Sequence, residues 1–253
     1  DRRGKARQKF ITQADFDSIA SFGFDHVRIP LDEIQLWDSL GNKHRDAFKL
    51  LHNGIKWAKA AGLRVIVDLH IIHSHHFNTD SQALWDDPNE QQKLIDLWLQ
   101  LSEELQQYSN NIVAYEILNE AVADDPEDWN ELVNRVIDSI RVREPHRKIV
   151  LGSNRWQSPH TFPDLRIPKN DSNIILSFHF YSPFLITHHQ ASWVDPKDYS
   201  GPVNYPGWSV DTAIYDELPE NLAETIKEYN GYFTKDSLEA MMMPAIKIAQ
   251  RHD

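Results

Sequence analysis

Along most of the chain, apolar residues recur either at helical spacing or in short unbroken runs, and the two patterns alternate. In "TQADFDSIASFG", Phe16, Ile19 and Ala20 share one face, Thr12 and Asp15 form a capping pattern, and Gly23 supplies a stop. "FDHVRIPL" is short and β-branched, which predicts a strand closed by Pro30. "DAFKLLHNGIKWAKAAG" places Phe48, Leu51 and Ile55 at helical spacing before Gly62, and "LRVIVDLHII" reads as a buried strand. Leu94, Leu97, Trp98, Leu101 and Leu105 mark an amphipathic helix, followed by the strand-like run "NIVAYEILNE". Trp129, Leu132, Val133, Val136, Ile137 and Ile140 mark another helix, before the runs "KIVLGS" and "NIILSFHFYSP". An irregular stretch rich in Pro, Gly, Trp and Tyr runs from about Pro183 to Tyr232, and "TKDSLEAMMMPAIKIAQRHD" reads as a last helix.

Continuous apolar strands alternating with helices predict a parallel sheet covered by helices. Doubly wound sheets and (β/α)8 TIM barrels both fit. No glycine-rich fingerprint follows an early strand, so a dinucleotide fold has no support. No linker-like break interrupts the pattern, and the expectation is one catalytic-size domain over residues 1–253.

Charge and composition narrow the function classes. The chain has 253 residues and a formal net charge of -12. No Lys/Arg cluster stands out, which argues against a nucleic-acid partner. No apolar run is long enough to span a bilayer. "DRRGKARQKF" is basic but has no apolar stretch of the signal-peptide kind. With no cysteine, disulfides and thiolate chemistry are excluded.

In parallel α/β folds the site lies at the carboxyl ends of the strands. Those ends here read Arg28 in "HVRIP", His70 in "VDLH", Asn119 and Glu120 in "ILNE", Asn154 and Trp156 in "GSNRW", and His179 and Tyr181 in "SFHFYSP". Each has an ordinary explanation: an ion pair, a structural histidine, a solvated turn. Five successive strands that each deliver such a residue to one rim favour function and favour the barrel.

In this order and spacing, "HVRIP", "DLH", "ILNE" and "HFYSP" resemble glycoside hydrolase family 5, the cellulase family, and "SPFLITHHQASW" followed by "NYPGW" resembles its loop after strand six. The resemblance implies a (β/α)8 barrel, of which about five strands are recognisable. It also implies hydrolysis of β-linked glycans with retention, without cofactor or catalytic metal. A retaining glycosidase uses two carboxyl groups about 5–5.5 Å apart. Glu120 takes the acid/base place, a role that calls for a pKa raised by burial and by the second carboxylate. Asn119 takes that of the ligand to the sugar 2-hydroxyl. Arg28 and Tyr181 resemble the pair that orients the nucleophile, and His179 and His70 the supporting and subsite histidines. Trp156, Trp208 and Tyr205 are candidates for stacking on sugar rings.

The loop "HIIHSHHFN" holds His70, His73, His75 and His76. Its spacing matches no common metal motif, so it is read as a substrate-binding loop, with His73 and His76 as contacts. A metal-dependent hydrolase is the weaker alternative. Ala121 stands where the family most often has Pro. The family's strand-seven nucleophile has no counterpart before the final "QRHD". The expectation is therefore a barrel trimmed at both ends, completed by a missing segment or a second chain. The substrate implied is a plant-type β-glucan, with exo-β-1,3-glucanase, β-mannanase and a non-catalytic glycan-binding barrel as alternatives. A secreted or periplasmic location follows from the polymer.

Overall fold

A computed structural model describes residues 9–78 and 83–252. Tight packing divides the chain into two compact units, residues 1–157 with 164–177, and residues 158–163 with 178–253.

The first unit is a five-stranded parallel sheet in the order β1-β2-β3-β4-β5, formed by His26–Asp32, Arg64–Ile71, Val113–Glu116, Ile149–Leu151 and Ile174–Leu176. Four helices, α1 (Gln13–Ser21), α2 (Arg45–Ala60), α3 (Pro88–Leu105) and α4 (Pro126–Arg143), alternate with the first four strands. Their starts are written locally. The Asp15 carboxylate accepts the Thr12 N–H at 2.7 Å. Helices α3 and α4 both open on Asp-Pro: Asp87 accepts from Asn89 N–H at 2.8 Å and Asp125 from Glu127 N–H at 2.9 Å, while proline fills the first helical position, where no N–H is needed. Gly62, at φ 79°, ends α2 in a left-handed turn that a side chain would strain.

Strand β1 does not close at Pro30 but runs on to Asp32. Among the described residues β1 is an edge strand, where a missing N–H is tolerated. Strands β3 and β5 are shorter than their apolar runs. Beyond Glu116 the chain leaves the ladder, yet Ile117 and Leu118 stay buried. The core joins Val65, Val67 and Leu69 of β2, Val113 and Tyr115 of β3 and Ile149 and Leu151 of β4 to the inner faces of α2, α3 and α4.

Below the strands lies a buried ion pair. Arg147 donates to Glu144 Oε2 at 2.6 and 2.8 Å, and to the carbonyls of Val113 at 2.7 Å and Tyr108 at 2.9 Å. The other Glu144 oxygen accepts from Ser102 at 2.7 Å and from the Tyr115 hydroxyl at 2.8 Å. Burial pushes the Tyr115 phenol far up, so it stays a donor.

The second unit has its own small core of Leu185, Tyr199, Val210 and Ile226. The stretch from Pro183 to Tyr232 is less irregular than its composition predicts. It contains helix α5 (Glu220–Tyr229), and the two-residue strands β6 (Gly207–Trp208) and β7 (Tyr232–Phe233) pair antiparallel. Helix α6 (Lys235–His252) follows and carries Pro244 within it. No helix among the described residues is long and apolar enough to cross a membrane.

Candidate active site

Strand register sets the chemistry. Pro30 pairs with Asp68 and Asp68 with Glu116, so two buried carboxylates stand side by side at one level of the sheet. Opposed like charges repel, and buried charges need partners. Arg28 supplies the partner from β1. Its Nε donates to Glu116 Oε2 at 2.6 Å, and its Nη2 donates to Glu116 Oε1 at 3.0 Å and to Asn119 Oδ1 at 2.8 Å. The same Nη2 lies 2.9 Å from Asp68 Oδ2. Burial lifts Asp68 above the ordinary carboxylate range and the Glu116 charge adds to this, against the pull of His70 and Arg28. Among the described residues Arg28 holds Glu116, Asp68 and Asn119. Glu116 is itself no nucleophile candidate, because it is buried and both of its oxygens are bonded.

Asn119, beyond the end of β3, donates its N–H to Leu69 O at 3.1 Å. Arg28 occupies its Oδ1, while its buried Nδ2 has no hydrogen-bond partner. Glu120 follows at φ 48°, a left-handed conformation that a non-glycine residue keeps only when its surroundings hold it there. Its N–H donates to Gln157 Oε1 at 3.1 Å, and its carbonyl accepts from His75 Nε2 at 3.2 Å.

The histidine loop is braced from both sides. Asp68 fixes His70 through Nδ1 at 2.7 Å. Buried Glu33 accepts the His73 N–H at 2.8 Å, pairs with His73 Nδ1 at 2.9 Å and meets Lys93 Nζ at 2.8 Å. Burial would raise the Glu33 pKa, but Lys93 and His73 together hold it below the usual range. His76 stacks on Phe77 with ring centres 5.0 Å apart. Among the described residues no group of three or more His, Cys, Asp or Glu is arranged to hold a metal ion.

Trp156 is 47% exposed, and its indole N–H is tied to Phe77 O at 2.9 Å, which fixes the ring as a platform. Asn154 differs from expectation. It is buried, and its amide clamps the Ala123 backbone, accepting at 2.8 Å and donating at 2.9 Å, so it braces the loop after Glu120. The sequence reading missed Asp68, Glu116, His75 and Gln157. The first two carried a signal: a charge inside an apolar strand run demands a partner.

His179, Tyr181, Tyr205 and Trp208 belong to the second unit. There Tyr181 packs edge-on to His179 at 6.2 Å and to His188 at 5.0 Å. Trp208 meets the edge of Tyr232 at 6.1 Å, and Tyr205 precedes a cis proline.

His75 gives a pH-dependent test. A carbonyl only accepts, so Nε2 must carry the proton toward Glu120. Burial and the nearby His76 hold the His75 pKa below 6.5, against the opposing influence of Glu120. A depressed pKa means that the unfolded chain binds the proton first as pH falls. The His75 contribution is complete above about pH 6.5 and is lost through the window below. His75→Phe should flatten that part of the acid limb and cost about 1 kcal/mol at pH 7.5. Urea midpoints at pH 7.5 and 5.5 measure both, and an identical drop in both proteins would contradict the assignment.

The sequence profile of Cellulase (glycosyl hydrolase family 5) matches residues 4–243. The chain belongs to glycosyl hydrolase family 5. It is accordingly a glycoside hydrolase of the cellulase family, whose members are (β/α)8 barrels, and its five parallel strands stand in barrel order. Among its relatives, Endoglucanase C of Acetivibrio thermocellus is 30% identical over 248 residues, a match that covers 96% of this chain and 71% of the relative. Cel5A of Thermotoga maritima, solved in complex with cellobiose, is 28% identical with a TM-score of 0.66, covering 87% of this chain and 68% of that one. The same Cel5A in complex with mannotriose aligns at 27% identity with a TM-score of 0.65, with coverages of 87% and 68%.

Proposed function

We propose that this family 5 enzyme hydrolyses β-glycosidic bonds in β-glucans in the manner of an endoglucanase, by double displacement, with Glu120 as general acid/base. The observation that carries the reading is the end of β3. Glu120 is pinned through its own N–H and carbonyl, and beside it Asn119 holds a buried, unpartnered N–H group. A donor of that kind suits a sugar 2-hydroxyl, a contact that strengthens toward the oxocarbenium-like transition state. His70, held through Nδ1, and the Trp156 platform with its apolar face suit neighbouring sugar contacts. Glu120 first donates its proton to the leaving oxygen and then removes one from the attacking water.

Double displacement needs a nucleophilic carboxylate, and none is identified among the described residues. We assign it to a segment or second chain that completes the barrel. The cavity of about 1060 Å³ along β1, lined by Val27, Ile29, Leu31, Leu51 and Trp57, supports a further element packing there. The polymeric substrate supports a secreted or periplasmic location. The complex of Cel5A with mannotriose favours β-mannan as the second reading.

A panel of soluble β-1,4-glucan, β-1,3-glucan and mannan, with the product anomer followed by NMR, tests the proposal. Fastest turnover of β-1,4-glucan with the β-anomer formed first is expected. Initial release of the α-anomer would overturn double displacement, and binding without turnover once the barrel is completed would overturn the enzymatic reading.

A further inference from the structure

The turn after β4 is the most constrained backbone of the first unit. Arg155, Trp156 and Gln157 lie in succession at φ 51°, 60° and 54°, all left-handed and none a glycine. Such residues persist only where several contacts enforce them. Here Trp156 N–H donates to Ala121 O at 3.2 Å and its indole to Phe77 O at 2.9 Å, which fastens the turn to the loops after β3 and β2. The outcome of the strain is the placement of Gln157. Its side chain is 1% exposed, with Oε1 accepting the Glu120 N–H and Nε2 donating to Glu116 Oε1 at 3.2 Å. One amide thereby reaches both the residue proposed as acid/base and the carboxylate that holds Arg28.

Gly152 completes the device. Its φ is not left-handed, so backbone freedom does not explain it. Space does. A Cβ at 152 would fall inside the Gln157 side chain, 2.6 Å from its Cδ. The atoms in the way run from Cγ to Nε2 of one side chain, so a methyl group there would displace the Gln157 amide.

We propose that Gln157 is a positioning residue for the acid/base. Its amide sets the left-handed backbone of Glu120 and the Glu116–Arg28 pair together, and Gly152 keeps the place for that amide. The inference rests on the reading of Glu120 as acid/base. A displaced carboxylic acid protonates a poor leaving group badly, whereas an activated aryl leaving group needs little protonation.

The test compares Gln157→Met, which keeps the bulk and removes both hydrogen bonds, with Gly152→Ala, which displaces the amide without touching it. Each is measured in the completed, glucan-cleaving protein on β-glucan and on an aryl β-glycoside with a good leaving group, with Glu120→Gln alongside and folding checked by thermal melting. Both variants should lose about 10²-fold in kcat on glucan, the usual penalty of an ångström-scale misplacement. KM should change by less than about threefold, as expected when only transition-state interactions are lost. The aryl glycoside should lose at least about tenfold less than glucan. Equal loss on both substrates, or unchanged glucan turnover in a folded variant, would overturn the role of Gln157. If Gln157→Met fails to fold, Gly152→Ala decides alone. If Glu120→Gln itself fails to discriminate between the substrates, the acid/base reading falls and this inference falls with it. If only Glu120→Gln discriminates, this inference alone is lost.

Discussion

With the barrel completed by its nucleophile-bearing part, Glu120→Gln should abolish most turnover of natural β-glucan, by about 10²–10⁴-fold, while sparing much of the activity on glycosides with good leaving groups. The substitution keeps the shape, the backbone bonds to Gln157 and His75, and the neighbouring Asn119 contact to Arg28. It removes only the transferable proton. Glucan cleavage needs that proton on the departing oxygen, whereas an aryl oxide leaves largely unaided. In the second half of the cycle the amide can no longer activate water. A small anion such as azide should therefore restore turnover on the activated substrate and leave a glycosyl azide product. Parallel kinetics on both substrates, with and without azide, check this. Equal loss on both and no rescue would remove Glu120 from the acid/base role.

Arg147→Met should destabilise the fold by about 3–5 kcal/mol, the range for breaking a buried ion pair from one side. The guanidinium and the Glu144 carboxylate are 1% and 7% exposed, so water cannot replace the lost partner. The change leaves Glu144 as an uncompensated buried charge and frees the carbonyls of Val113 and Tyr108. Against a typical total of about 5–15 kcal/mol, that is a large fraction of stability. Adding Glu144→Leu should recover part of the loss, because the orphaned charge goes with it. Urea denaturation of both variants measures the difference. A single variant within about 1 kcal/mol of the parent would show the pair to be replaceable by water.

Glu120 follows β3 and Arg147 binds the Val113 carbonyl within it, and how far the site was legible in the sequence has a physical reason. The helices and strands were written in apolar spacing, and His70, Asn119 and Glu120 follow apolar runs. Glu116 and Asp68 lay in plain view inside such runs, and the rule that buried charges require partners would have linked them to Arg28. Gln157 and Asn154 carried no such mark. Their roles arise from a turn whose three left-handed residues no local preference announces, since arginine, tryptophan and glutamine all avoid that conformation. Arg28 lies third in β1 rather than at its carboxyl end, and register between strands, which sequence spacing does not reveal, decides that Glu116 and Asp68 meet its guanidinium.

Gly152 and Gln157 also bear on how this enzyme can vary. The volume a methyl group would need at 152 is already filled from five positions away, so neither residue is free to change alone. A shorter side chain at 157 opens a void that a larger residue at 152 fills, and a residue larger than alanine at 152 is tolerated only once 157 has shrunk. The two positions form one unit of substitution. In a library randomised at both, folded clones should pair small with long or large with short, while full glucan turnover stays with the pairs that keep the amide at 157.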